Sequence, residues 1–237
     1  MKYILFIGNF IILFQNSFSQ RQEFLHDWSA VIEHYACTDN KQIEATYYMY
    51  SSHESNQVYS TSHSIVKSKN DKIYQNIDEI ITLVDPEIMV LVDHNESTIL
   101  LDRSPRNYFN VISQISFDTS LHSIPKIEIL SLTNSYKRYR IYLRSKEYDK
   151  IEMGINPQTK HLIDITLFYS TEISLDEEKP DELSKPKLII KYKPMIKVQE
   201  PFYTIRDNPF FSFDGNRIQA KNTYKRYQCI DNRIKLN

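Results

Sequence analysis

The sequence predicts an α+β fold that is mainly β: a large, strongly curved antiparallel sheet with an N-terminal helix and a short inserted helix on its concave side. Three observations favour this class. One N-terminal stretch repeats apolar residues at helical period, most later stretches alternate with a period of two, and no strand–helix–strand alternation typical of parallel sheets occurs. The chain also has only three glycines, too few for a phosphate-binding glycine loop.

The N-terminal residues have the pattern of a secretory signal peptide. Met1-Lys2 precedes an apolar run that ends at Phe14, and Ser17 and Ser19 stand where signal peptidase requires small residues. The run is shorter than the roughly 20 apolar residues that span a bilayer. We therefore expect a cleaved signal over residues 1–19, with an uncleaved anchor as the alternative, and a single domain over 20–237. The expected location is the periplasm of a gram-negative bacterium.

The clearest helix is predicted over Arg21–Ala36. Its apolar residues form one stripe at helical period, with the only tryptophan at the centre: Phe24, Leu25, Trp28, Val31, Ile32 and Tyr35. The opposite face is expected to carry Gln22, Glu23, Asp27, Ser29 and Glu33. A helix with such a stripe needs an apolar surface to pack against.

Strands are predicted after this helix from period-two alternation and from the turn residues between runs. The first group is Ile43–Tyr50, Gln57–Lys67, Lys72–Ile77, Glu79–Val84, Glu87–Asp93 and Ser97–Asp102. Its last two members form the best hairpin of the chain, and their nearly continuous apolar character predicts burial on both faces. The short inserted helix is expected within Arg106–Asp118.

Strands are predicted again after the inserted helix. They are Lys126–Leu132, Tyr136–Arg144, Tyr148–Ile155, His161–Tyr169 and Lys187–Met195, with Tyr224–Ile230 expected to close the sheet. Glu172–Lys187 is acidic and contains two prolines, which predicts a solvated loop. Tyr136–Arg144 alternates strictly, so that Arg138, Arg140 and Arg144 share an outer face; a solvated face is expected, with contact to anionic lipid or glycan heads as the alternative.

Charge and cysteine content limit the function. The 29 basic and 30 acidic residues nearly cancel, which argues against electrostatic nucleic-acid binding as the main task. The two cysteines, Cys37 and Cys229, are an even pair in an exported chain, so a disulfide is the leading interpretation and two buried free thiols are the alternative.

The sequence shows no pattern typical of an enzyme. The seven histidines lack the spacing of a zinc site, and no serine lies in a Gly-x-Ser-x-Gly turn. We therefore predict no catalytic residue, no metal and no cofactor.

The order of elements resembles the bacterial outer-membrane lipoprotein carrier family, the LolA/LolB-like superfamily. The resemblance is carried by the helix Arg21–Ala36, the hairpin Ile88–Leu101 with Asp93 at its turn, the segment Tyr139–Leu167 around Asn156-Pro157-Gln158-Thr159, and Leu188–Tyr192. It implies an antiparallel half-barrel whose helices form a lid over an apolar cavity. The arginine with which that family holds its lid has no counterpart between Ala45 and Lys72.

The resemblance implies a non-catalytic binding protein that shelters a lipid, an acyl chain or a lipoprotein segment. The apolar residues expected to line the cavity are Trp28, Ile32, Met49, Val90, Val92, Ile141, Leu143, Ile165 and Leu167. The alternative is a filled core in a protein that docks on another envelope protein. Peripheral contact with a membrane is compatible with both hypotheses.

Overall fold

The computed structural model describes residues 19–35, 40–104, 126–175, 178–179, 181–215 and 217–233. The predicted signal before Ser19, the inserted helix expected within Arg106–Asp118, and Cys37 lie outside these residues.

The described chain contains one α-helix and seventeen strands. Helix α1 spans residues 19–35. The strands are β1 (Lys41–Tyr50), β2 (Val58–Lys69), β3 (Lys72–Ile77), β4 (Ile80–Val84), β5 (Ile88–Asp93), β6 (Thr98–Arg103), β7 (Lys126–Leu132), β8 (Lys137–Tyr142), β9 (Tyr148–Asn156), β10 (His161–Tyr169), β11 (Ile173–Ser174), β12 (Leu183–Ser184), β13 (Lys187–Tyr192), β14 (Ile196–Lys197), β15 (Phe211–Asp214), β16 (Arg217–Ala220) and β17 (Gln228–Asp231). A 3₁₀ helix covers Asn222–Tyr224.

Thirteen of the strands form one sheet in the order β17-β6-β5-β4-β3-β2-β1-β13-β10-β9-β8-β7, and β14 pairs with β1. Among the described strands, β17 and β7 have a neighbour on one side only, so the sheet is open. The prediction of a mainly β chain built on a large antiparallel sheet is confirmed. The strong curvature stays a prediction.

Two details of the predicted sheet are wrong. Strand β17 joins the sheet as expected, but it runs parallel to β6, with Cys229 opposite Ile99. The segment predicted as a solvated loop over Glu172–Lys187 contains the small ribbon β11–β12, in which Ile173 pairs with Ser184. A two-residue strand is too short to show an alternating pattern, so its sequence gives no period-two signal.

The chain divides into two compact units, each described here by itself. The first unit comprises Met1–Cys37, Tyr47–Thr61 and Ile115–Tyr192, and the second comprises Thr38–Thr46, Ser62–Gln114 and Lys193–Asn237. The single domain expected over 20–237 stays a prediction.

The first unit packs helix α1 against its strands through the predicted stripe. Phe24, Trp28, Val31 and Tyr35 are each at most 3% exposed. Positions 22, 26, 29 and 33 of the same helix are exposed, so the helix buries one side only. The helix predicted over Arg21–Ala36 is confirmed up to Tyr35, the last described residue of that stretch.

The second unit has its own core on the hairpin β5–β6 and the strands beside it. Val90, Val92, Ile99 and Leu101 are fully buried, and Phe210, Phe211, Ile205 and Ile218 from the C-terminal segment pack in the same cluster. The alternate residues Leu91 and Leu100 are only partly buried. The expected burial on both faces is therefore wrong, because this antiparallel hairpin places one face on the core and leaves the other half open.

Asn208 organises the C-terminal segment that covers this core. Its side chain is buried and makes four hydrogen bonds to the backbone. The amide nitrogen donates to the carbonyls of Thr204 and Ile205, and the amide oxygen accepts from the N–H groups of Phe210 and Phe211. One asparagine side chain thus provides hydrogen-bond partners for buried backbone groups that do not pair with a neighbouring strand.

We expect Asn208→Ala to lower the free energy of unfolding by about 2–3 kcal/mol, because it leaves buried backbone groups without partners. Denaturant unfolding followed by circular dichroism measures the change. Asn95→Ala, at an exposed turn, serves as the control and should stay within about 0.5 kcal/mol of the wild type. Equal stability of the two variants would contradict the role assigned to Asn208.

Candidate functional site

The candidate site is the apolar sheet face that helix α1 covers in the first unit. Strand alternation and register place its residues together: Tyr139 pairs with Met153, and Met153 pairs in turn with Ile165 on the next strand. These three side chains are fully buried, as are Ile141, Ile155 and Leu162. The face crosses three neighbouring strands, β8, β9 and β10.

The helix meets this face through aromatic and aliphatic side chains. The ring of Phe24 stands edge-on to the ring of Tyr139, with centroids 5.2 Å apart and an interplanar angle of 67°. Edge-to-face pairs of this kind stabilise beyond the area they bury, by about 0.5–1.5 kcal/mol. Trp28 lies one turn further along the helix and is 2% exposed.

A set of polar contacts, here called the helix clasp, joins helix and sheet within this apolar contact. Lys137 Nζ donates to Glu23 Oε1 at 2.7 Å and to Asp27 Oδ2 at 2.9 Å. The hydroxyl of Tyr139 donates to the same Asp27 oxygen at 2.7 Å. Asp27 is 7% exposed, so its charge depends on these two partners.

The environment of the helix clasp shifts the pKa of both donors. Burial disfavours the charge of Lys137, but its hydrogen bonds to Glu23 and Asp27 outweigh burial and raise its pKa. Burial is the main cause that raises the pKa of Tyr139, and the hydrogen bond to Asp27 adds to it. Tyr139 therefore remains a neutral donor far above neutral pH.

A second polar contact lies at the C-terminal end of the helix. The hydroxyl of Tyr35 and Nδ1 of His161 share a hydrogen bond of 2.9 Å. Burial raises the pKa of Tyr35 to about 12 and lowers the pKa of His161. Both groups are therefore neutral at neutral pH, and an uncharged hydrogen bond links this end of the helix to strand β10.

Seven of the nine apolar residues predicted to line a cavity lie in the first unit. Trp28, Ile141 and Ile165 are buried there, and the other four are half-buried: Ile32, Met49, Leu143 and Leu167. Val90 and Val92 belong to the core of the second unit. The ligand-binding role of these residues stays a prediction.

The expected position of Asp27 on the solvent side of the helix is wrong, because this residue is 7% exposed, whereas the Glu23 side chain is 36% exposed and reaches Lys137 from the edge of the contact. Asp27 follows Phe24 by three residues and precedes Val31 by four, which at helical period sets it on the same side as the stripe. Its charge is tolerated there because Lys137 and Tyr139 contact it. The spacing was therefore a usable signal, but the polarity of the side chain concealed it.

The other face of the same strands is ionic rather than simply solvated. Arg138 and Arg140 both bond to Glu152, at 3.2 and 2.8 Å, and Arg138 also lies 3.4 Å from Asp164. The predicted alternation along β8 is confirmed, but each arginine side chain is less than one-third exposed. The expected solvated face is corrected for these two arginines, because carboxylates on the adjacent strands pair with both, whereas Arg144 is exposed as expected.

Gly154 makes this arrangement sterically feasible. A Cβ atom at that position would lie 2.9 Å from Asp164 Oδ2 and 3.0 Å from the ring of Tyr136. These distances are too short for a methyl group. Only glycine at position 154 therefore leaves room for the side chains of Asp164 and Tyr136 to lie over the backbone of β9.

Metal, membrane and disulfide predictions have separate outcomes. Within the described ranges, no three His, Cys, Asp or Glu side chains gather closely enough to hold a metal ion. None of the described helices is both long and apolar enough to cross a bilayer. Cys229 is a half-buried free thiol whose pKa is raised by burial. The disulfide predicted between Cys37 and Cys229 is therefore not shown, and Cys37 itself lies outside the described residues.

No protein-family model and no curated protein sequence matches this chain. Among solved structures, it is similar to an uncharacterized conserved protein from Thermus thermophilus, with a TM-score of 0.42, 9% identity, and coverage of 89% of this chain and 98% of that one. It is similar to the LolA superfamily protein NE2245 from Nitrosomonas europaea, with a TM-score of 0.31, 12% identity, and coverage of 73% and 94%.

A further similar structure is a chain of the Pseudomonas aeruginosa MucA/MucB complex, with a TM-score of 0.41, 8% identity, and coverage of 75% of this chain and 58% of that one. All three TM-scores are below 0.5. These similarities therefore assign neither a family nor a function to the chain.

We expect Lys137→Met to lower the free energy of unfolding by about 2 kcal/mol, because it leaves the Asp27 carboxylate buried beside a single hydroxyl. The double variant Asp27→Asn with Lys137→Met should recover part of that loss, since no buried charge remains. Denaturant unfolding measures both. As the control, Lys179→Met removes an exposed pair with Glu182 and should change stability by less than about 0.5 kcal/mol. A loss for Lys137→Met no larger than for the control would argue against the helix clasp.

Stability should fall steeply at alkaline pH. Tyr35 has a raised pKa of about 12 against an ordinary value of 10.0, so its contribution is complete below pH ~10 and is lost as the pH rises towards about 12. The loss from this one tyrosine amounts to about 3 kcal/mol.

Unfolding free energies measured between pH 8 and pH 12 should decline less steeply for Tyr35→Phe than for the wild type. Tyr59→Phe, at a 51% exposed position, is the matched control and should keep the wild-type slope. Identical slopes in all three proteins would show that the Tyr35 hydroxyl is not held neutral by the fold.

Proposed function

We propose that this chain is an exported, non-catalytic binding protein that shelters an apolar ligand beneath helix α1. The ligand class is a lipid, an acyl chain or the apolar segment of a lipoprotein. The observation that carries the proposal is the helix clasp, an ionic contact set inside an otherwise apolar helix–sheet interface.

A buried ion pair is a poor way to stabilise a permanent core. Desolvation of the two charges offsets most of their attraction, and apolar replacements are often neutral or stabilising. What such a pair provides is a single defined position, because any other placement of the helix leaves Asp27 without its partners. A helix that leaves the sheet and returns to the same register benefits from that property, and a helix that never moves does not.

The covered face has the chemistry that an acyl chain requires. It presents the fully buried Tyr139, Ile141, Met153, Ile155, Leu162 and Ile165. An acyl chain that replaces the helix on this face gains about 0.8 kcal/mol for each buried methylene group. The half-buried Leu143, just after the end of β8, and Leu167 on β10 would contact the ligand as it enters.

The proposed mechanism is a lid movement with no covalent step. Water or an approaching headgroup competes for Lys137, the Asp27 contacts break, and the N-terminal half of the helix separates from β8. The ligand then occupies the place of Phe24 and Trp28. The neutral bond between Tyr35 and His161 holds the other end of the helix and acts as the pivot.

A second candidate function is docking on a protein partner. Strand β7 has a described neighbour on one side only, and its Leu130 and Leu132 are 39% and 62% exposed. An edge strand with exposed leucines can accept a strand from another protein. This alternative requires no movement of helix α1.

The test of the proposed function is saturable binding of a fluorescent fatty acid, parinaric acid, to the folded protein. We expect one-to-one binding by the wild type and association about tenfold faster in the variant Asp27→Asn with Lys137→Met, because opening of the lid no longer breaks the helix clasp. Mass spectrometry of an organic extract of native protein should show a co-purified lipid.

The matched control is Lys179→Met with Glu182→Gln, which removes an exposed ion pair of the same unit and should bind at the wild-type rate. Absence of saturable binding together with a lipid-free extract would refute the sheltering function. A stoichiometric protein partner that is captured by the wild type and lost on Leu132→Glu would then favour the second candidate.

A further inference from the structure

The sheet face of the first unit that points away from helix α1 is rich in cations. Register places its residues together: Arg140 pairs with Glu152, Lys150 with Phe168, and Asp164 with Lys191. We call this surface the basic face. Its cations are Lys126, Arg138, Arg140, Lys150, Lys187 and Lys191, and its carboxylates are Glu128, Glu152 and Asp164.

The basic face carries an excess of positive charge, although the whole chain is almost neutral. Six cations face three carboxylates there, whereas the whole chain has a formal net charge of −1. The carboxylates are engaged by Arg138, Arg140 and Lys126, through contacts such as Arg140 Nη2 to Glu152 Oε1 at 2.7 Å. In the described part of the chain, no carboxylate lies within ion-pair distance of Lys150 or Lys191.

All four lysines of the basic face lie over aromatic rings. The distances from Nζ to the ring centroid are 4.3 Å for Lys150 over Phe168, 5.4 Å for Lys191 over Tyr48, 4.9 Å for Lys187 over Tyr50 and 5.3 Å for Lys126 over Tyr142. The rings hold the ammonium groups close to the sheet surface rather than extended into solvent. Three of the four rings are tyrosines, which favour the boundary between water and an apolar phase.

We propose that the basic face docks on the anionic headgroups of a lipid bilayer. Its cations lie on β7, β8, β9 and β13, which together with β10 between the last two form five adjacent strands and span about 19 Å at the usual strand spacing. A shallow array of ammonium groups fits a plane of phosphates better than a single strand of nucleic acid, which is held in a groove with its bases stacked on exposed rings. Each cation at such a surface strengthens attraction to anionic lipid by about fivefold.

The inference does not rest on the sheltering function, because it uses only the face that helix α1 leaves uncovered. It gives the first unit an orientation: the basic face lies on the headgroups, and the helix lies on the side away from the bilayer. A protein that fails to bind fatty acid would still bind anionic vesicles.

The experiment is co-sedimentation of the full chain with vesicles of phosphatidylcholine containing about one-third phosphatidylglycerol. We expect binding at about 0.05 M salt that weakens strongly at about 0.5 M, and little binding to pure phosphatidylcholine. The variant Lys150→Glu with Lys191→Glu should bind at least about tenfold more weakly. If the new carboxylates disturb folding, Lys150→Gln with Lys191→Gln tests the same prediction without added negative charge.

The matched control is Lys185→Glu with Lys225→Glu, which makes the same change in net charge at two exposed lysines outside the basic face. It should bind vesicles as the wild type does. Equal weakening of both double variants, or equal binding to both kinds of vesicle, would overturn the proposal. So would displacement from vesicles by duplex DNA or by inorganic phosphate at the same phosphate concentration as the headgroups.

Discussion

The buried carboxylate of Asp27 constrains the first unit more than any other single group. Lys137 and Tyr139, two residues apart on strand β8, are the donors that its charge requires. Those contacts set the rotation of the helix, and the rotation places Phe24, Trp28 and Val31 against the sheet. If Asp27 were neutral, the apolar stripe alone would determine the helix position.

Strand β8 connects the two faces of the first unit because its residues alternate. Lys137 and Tyr139 point to the helix, whereas Arg138 and Arg140 point to the basic face and pair with carboxylates on β9 and β10. A one-residue shift of register would exchange these roles and place two arginines beneath the helix. The ion pairs with Glu152 therefore fix the register on which the helix clasp also depends.

Much of the secondary structure could be predicted from periodicity. The stripe of α1, the hairpin β5–β6 and the alternation of β8 each agree with their predicted spans within a few residues. Periodicity does not reveal the parallel pairing of β17, because parallel and antiparallel edge strands have the same alternation. It also does not show that Asn208 bonds to the surrounding loop, since its partners are backbone groups. The spacing of Asp27 places it on the side of the apolar stripe, but a charge is tolerated there only because of Lys137, which is 110 positions away and leaves no local signal.

The position of the only tryptophan has a practical consequence. Trp28 is 2% exposed and lies on the face of α1 that contacts the sheet. Emission excited at the red edge of protein absorption therefore comes from one indole, without contribution from the seventeen tyrosines. Separation of the helix from the sheet would move that indole from an apolar environment into water and shift its emission to longer wavelength. The native chain thus contains its own spectroscopic reporter of helix position, and no dye label is needed to follow the movement in real time.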